Sequence, residues 1–369
     1  MTRRSWRRVV AACALSLSMA ASMAAGPAAH ADPRPGTIEA WQRSTSVSLE
    51  ADGALSDVQA LPTGEVWAVG HQQIWDVWRN RAAIRHWNGT TWAEVPLRDT
   101  TGASVLRGVA VAGPREVWAI GDGLDGLPYL ARGDASGLDR VTVRELAARD
   151  RLGGVYAKGG RVVVVGSRRD MWMVLIKDGS SWTTQVSSTP GALYAVSGAF
   201  AVGDTGTRPL VVRHSGGTWK PMRLPDIPGG YLRDVRADGS RHAVAVGGVY
   251  TPAGKVEPLV LTWDGKRWSR QALPRTEARL YGVAGDGHGR YWISGFDPAR
   301  PGEPFLLRLE KGVGTIIRGA PSGGRETVRL QAVTYLPGKG QVWAVGHAVD
   351  TADRYTGIVE AFGPRPQVS

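Results

Sequence analysis

The run Val66-Trp67-Ala68-Val69-Gly70, preceded by a Leu-x-x-Val signature at Leu55 and Val58, is the first of seven copies of one unit. The closing glycines fall at Gly70, Gly121, Gly166, Gly203, Gly247, Gly295 and Gly346. Three places before each stands a large or β-branched apolar residue: Trp67, Trp118, Val163, Phe200, Val244, Trp292 and Trp343. The upstream signature recurs as Leu106/Val109, Leu152/Val155, Leu193/Val196, Leu232/Val235, Leu280/Val283 and Leu330/Val333. Such self-similarity sets the fold, because a single repeat cannot bury its apolar face alone and must stack on its neighbours.

Within each copy the apolar runs are short and bounded by Gly, Pro, Asp and Ser, which is the pattern of strands. A third run follows a variable loop, as in Val174-Leu175-Ile176 and Leu259-Val260-Leu261. Most of these lead into a turn and a tryptophan, as in Asn88-Gly89-Thr90-Thr91-Trp92 and Asp264-Gly265-Lys266-Arg267-Trp268. Asn-Gly and Asp-Gly accept the positive φ that tight hairpins demand. Each repeat therefore reads as four antiparallel strands, A to D, and the chain as all-β. Only Val141 to Arg151 hints at a helical period. The seventh repeat stops after strand C near Phe362, and the segment from about Ile38 to Val47, carrying Trp41, is expected to supply its outer strand and close a ring.

Successive glycines stand 51, 45, 37, 44, 48 and 51 residues apart, near the size of one propeller blade. On these motifs the chain resembles the secreted actinobacterial seven-bladed β-propellers with repeated WAVG and W(N/D)GxxW units. The resemblance covers essentially all of residues 32–369 as one domain and implies the architecture, while saying almost nothing of activity. WD-type, Kelch and sialidase signatures are not kept in register.

Residues 1–31 look like an export signal: Arg3, Arg4, Arg7 and Arg8, an apolar run from Val9 to Ala25, then Ala29-His30-Ala31 before Asp32. General and twin-arginine export both fit this start. Cleavage there removes Cys13, the single cysteine, so disulfides, thiolate metal sites and a cysteine nucleophile are excluded from the mature chain. The net charge, losing four arginines and no acidic residue, falls from +12 to +8. Basic residues are scattered through every repeat, which argues against a nucleic-acid partner. No other apolar run is long enough to cross a bilayer. The expected product is a secreted monomer without membrane insertion.

In a four-stranded blade the B–C and D–A connections share one face of the disk, and here they are the long, irregular ones. Three tryptophans escape the strand register and are expected on that face, Trp75 and Trp78 in the B–C loop of the first repeat and Trp172 at the start of strand C in the third; they could stack on a ligand or pack among their own loops. With Arg79 and Arg169 they form a candidate surface for a glycan, peptide or cell-wall polymer. The residue after each strand-B glycine is expected at the mouth of the central channel: His71, Asp122, Ser167, Asp204, Gly248, Phe296 and His347. His71, Asp122, Asp204 and His347 are candidate ligands for a divalent metal, with no other cofactor implied. His71 and His347 are also the acid–base candidates of an alternative reading, an extracellular lyase or hydrolase. No catalytic motif or nucleotide-binding loop is found, so a non-enzymatic binding or scaffold propeller is the first expectation.

Overall fold

Strand B of the first repeat, Val66–Gln72, is apolar on both faces because both are covered. Alternation along a strand sends Trp67 and Val69 into one packed cluster and Val66 and Ala68 into another. The same split holds around the molecule. Trp118, Val163, Phe200, Val244, Trp292 and Trp343 all face the following repeat. Seven apolar clusters result, one in each seam between neighbouring blades. The core is distributed around a ring.

The computed structural model describes residues 39–42, 47–76, 79–321 and 323–365. It forms seven four-stranded antiparallel sheets, a seven-bladed β-propeller. Strand A of each blade touches strand A of both neighbours, so these seven strands surround the axis. Six blades use consecutive strands, and the seventh is completed by Glu39–Gln42, paired antiparallel with Tyr355–Pro364. The N-terminal closure is thus present over Glu39–Gln42; Ile38 and residues 43–46 of the expected strand lie outside the described residues. Trp41 packs edge-on against Phe362, and Arg308 of blade six reaches Glu39 at 2.7 Å. The helical hint at Val141–Arg151 gives turns and extended chain, and no helix occurs among the described residues.

The two sequence signatures meet at one place in every blade. Pairing of strand A with strand B skips a residue just after the signature leucine, between Leu55 and Asp57, Leu106 and Gly108, Leu152 and Gly154, and at the four equivalent positions. This is a β-bulge, which places two residues opposite one. The residue opposite is always the strand-B glycine. A methyl group on it would lie 1.8–2.3 Å from the carbonyl oxygen of the residue before the leucine. None of these seven glycines has positive φ, so the requirement is for space, not for an unusual backbone.

A steric requirement of this kind makes a direct test. Gly121→Ala would drive its Cβ to 1.9 Å from the Val105 oxygen, whereas Gly113, at the end of the same sheet, has no atom within 4 Å of the added carbon. We expect Gly121→Ala to cost about 3 kcal/mol in urea denaturation, and Gly113→Ala to change stability by less than about 1 kcal/mol.

Candidate functional site

The bulge leaves one unpaired residue per blade on the innermost strand: Ser56, Arg107, Gly153, Tyr194, Arg233, Tyr281 and Gln331. All seven line one cavity of about 710 Å³, whose walls come from every blade and which therefore lies on the axis. Just above them, paired with the residues that follow the strand-B glycines, stand Arg151, Tyr231, Arg279 and Arg329. The mouth is therefore rich in arginine and tyrosine. Arg107 is held by both oxygens of Asp122. The Arg233 guanidinium lies 4.9 Å from the ring of Tyr194 and 5.3 Å from that of Tyr231, and Arg329 lies 4.8 Å from Phe296.

His71 and His347 are brought together at the seam of blades one and seven. His347 is buried, and its pKa is lowered to about 4 by burial first, then by the charges of Arg329 and His71. Burial and Arg107 lower His71 as well. Both imidazoles are therefore neutral near pH 7, and each has a buried Nδ1 with no hydrogen-bond partner. The ring of Tyr355 lies 5.2 Å from His347, and Trp75 meets Tyr355 edge-on at 5.8 Å. Trp75 itself is 66% exposed. An aromatic series thus runs from the surface inward to the imidazole pair.

The four candidate metal ligands do not converge. Asp122 is occupied by Arg107, and Asp204 takes the Gly206 N–H at 2.7 Å and the Tyr194 hydroxyl. Among the described residues no three His, Asp or Glu side chains gather to hold a metal. The four residues hold the same register position in their blades, as expected, but stand on different arcs of the ring.

Trp172 corrects a second expectation. It is 3% exposed and packs with Val174, Leu193 and Leu210 in the seam of blades three and four. The B–C connection of blade three is only the pair Arg169-Asp170, both at positive φ, so Trp172 already belongs to strand C, Met171–Asp178. Its alternation then points it inward. Arg169 is exposed at the tip of that turn, and Arg79 is exposed beside Asp76. Trp78 lies outside the described residues.

Sequence reasoning missed the bulge residues and the arginines beside them. The signal was available in the first variable place of Leu-x-x-Val, which holds Ser, Arg, Gly, Tyr, Arg, Tyr and Gln, a polar or aromatic set except for the glycine. The second variable place has another use. Asp57 accepts the N–H of Val58 and, across the seam, that of Val109, each at 2.8 Å; Asp234 does the same for Val235 and Val283 at 2.7 Å. Both residues are half-buried by area, yet protein atoms crowd their carboxyls, and burial pushes Asp57 up to about 7 and Asp234 to about 6.

Six large apolar side chains are well exposed among the described residues, and four of them, Trp75, Leu124, Leu127 and Tyr250, sit in or beside B–C connections. The opposite face carries short turns and a smaller cleft of about 260 Å³ near Tyr156 and His214.

No protein-family model matches the chain, and no curated protein matches it in sequence. Solved structures match its shape. The WD40 propeller domain of Doa1 superposes with a TM-score of 0.59 over 87% of this chain and 96% of that one, at 12% identity. The WD40 domain of coronin from Toxoplasma gondii gives 0.55 over 90% and 87%, at 9% identity. YCF48, solved bound to D1 peptide, gives 0.51 over 86% and 95%, at 14% identity. What is shared is the fold.

The depressed His347 pKa sets a pH dependence. The unfolded imidazole protonates below 6.5 and the folded one only near 4. His347 thus contributes stability that is complete above pH 6.5 and lost as pH falls to 4, by about 3 kcal/mol. Asp57 acts in the opposite sense over much the same window, its contribution being lost as pH rises toward 7. The measurement is therefore a difference: wild type should lose about 3 kcal/mol more than His347→Asn between pH 7 and pH 4 in denaturant titrations.

Proposed function

We propose that this protein is a secreted, non-enzymatic binding propeller that recognises an extracellular ligand on the face bearing the B–C and D–A connections. The observation that carries this reading is the concentration there of exposed Trp75, Leu124, Leu127 and Tyr250 around an arginine-lined axial cavity. Large apolar side chains exposed together around a concave polar centre are the ordinary composition of a recognition surface. A peptide suits it better than a glycan or a wall polymer. Leu124 and Leu127 offer apolar contact but no stacking plane for a sugar ring, and the arginines would pair with acidic side chains or a terminal carboxylate. A propeller of the same fold, YCF48, has been solved with a bound peptide. Secretion rests on the basic and apolar start of the chain and its Ala29-His30-Ala31 site.

Hydrolase or lyase chemistry at His71 and His347 finds less support. Among the described residues no carboxylate bonds to either buried Nδ1 to fix a tautomer, and no nucleophile is paired with the imidazoles.

Selection of peptides from a displayed library, beside pull-down on cell-wall polymers, tests the reading. We expect capture of a ligand whose affinity falls at least about tenfold in Trp75→Ala and in Tyr250→Ala. Both side chains are more than half exposed, so the melting temperature should stay unchanged. Equal binding by both variants, or no ligand from either source, would overturn it.

A further inference from the structure

The axial cavity has a charge that the chain itself leaves unanswered. Arg151, Arg279 and Arg329 come from the residue before the signature leucine, and Arg107 and Arg233 from the bulge itself. Only Arg107 is neutralised, by Asp122. Among the described residues none of Arg151, Arg233, Arg279 and Arg329 has a carboxylate within ion-pair distance. Arg233 and Arg329 lie instead against aromatic rings, which hold a guanidinium in place without cancelling its charge. Arg279 has a buried Nε with no hydrogen-bond partner.

These groups converge. The hydroxyl of Tyr281, which lines the cavity, feels the charges of Arg329, Arg279 and Arg233 together. Tyr194 stands on the same ring but gives its hydroxyl proton to Asp204, whereas the Tyr281 hydroxyl, which accepts from Arg279, remains protonated at neutral pH and keeps its own proton to donate to an anion. Gly153 completes the arrangement by absence. It adds no side chain to the ring, and a Cβ there would meet the Leu193 oxygen of the neighbouring blade at 2.2 Å. Nearby acids answer only part of the charge: Asp170, which lines the cavity, and Asp204, already bonded to Tyr194 and Gly206. Four unpaired arginines against these two carboxylates leave an excess of about two positive charges in a space of small-molecule size.

We infer that the channel mouth is a binding site for a small oxyanion of about two negative charges, a dicarboxylate or a phosphate, held between Arg151, Arg233, Arg279 and Arg329. The inference rests on the reading of this face as a binding surface and names the chemistry at its centre. Planar guanidinium groups donating paired hydrogen bonds suit both kinds of oxyanion. Where the anion is one end of a longer ligand, Trp75 and Tyr250 would contact the remainder.

Calorimetric titration of the full propeller with succinate, inorganic phosphate and pyrophosphate, each alone in a low-salt buffer, is the test. We expect at least one to bind with Kd below about 1 mM, and the ranking of the three tells carboxylate from phosphate. Arg233→Gln and Arg151→Gln should each weaken that binding by about tenfold or more. Arg151 is exposed and its side chain makes no hydrogen bond, ion pair or ring contact among the described residues, so it reports even where Arg233→Gln disturbs the tyrosine stack. Arg98→Gln, which removes an arginine outside the cavity that is paired with Asp139, should bind within about threefold of wild type. Absence of binding by all three anions up to about 10 mM, or binding that survives both Arg233→Gln and Arg151→Gln, overturns the assignment. Retained Trp75-dependent capture of a peptide in that case would leave the binding surface standing and remove only the oxyanion.

Discussion

Every blade depends on the close approach of two backbones. The strand-B glycine lies so near the carbonyl that precedes the signature leucine that even a methyl group would overlap it, at 1.8–2.3 Å. That approach is what lets strand A carry a bulge at the same height in all seven blades. A bulge bends and twists the strand that bears it, and here it also frees one residue per blade from the ladder, with a side chain in every blade but the third, where it is Gly153. Those side chains make the wall of the axial cavity. Leu-x-x-Val and the closing glycine are therefore two halves of one device, a packing rule and a functional ring produced together.

Stability is spread around the disk. Seven seams each bury an apolar cluster, and no blade could hide its own two faces. Polar links cross the seams as well: Asp57 and Asp234 each accept one N–H from their own strand and one from the next blade. Gly154 and Gly282 stand at the corresponding places in blades three and six, where a Cβ would come within 2.7–2.8 Å of the next strand A. The same position thus joins blades by hydrogen bonds at Asp57 and Asp234 and by close backbone contact at Gly154 and Gly282, while Gly108 faces the side chains of Ile120 and Val155. Closure by Glu39–Gln42 removes the open edge of blade seven and lets the last seam bury Trp343 against Trp87 and Trp92.

The fold was legible because each strand is short and its role repeats. A tryptophan three places before a glycine in one copy is weak; a large or β-branched apolar residue there in seven copies names strand B. The candidate site was legible only where it lay next to that register. His71 and His347 follow the glycines of blades one and seven, and ring closure makes those blades neighbours, so their meeting could be read from the order of repeats. Trp172 could not. Its exposure hung on whether Arg169-Asp170 was a loop or a two-residue turn, and neither residue is the glycine or asparagine that normally marks such a turn. The turn proved tight, and the tryptophan fell into strand alternation and the core.

The amino-acid order by itself determined the number of blades, the strand that closes the ring and the direction each motif tryptophan faces, because these follow from local periodicity and the count of repeats. Tertiary structure alone decided which polar residues share the axis. Arg107, Arg151, Arg233, Arg279 and Arg329 are spread over more than two hundred residues and belong to five blades. Nothing in their spacing joins them. They meet because the bulge residue and the residue before the signature leucine both stand on the innermost strands, around a centre that exists only once the ring is closed.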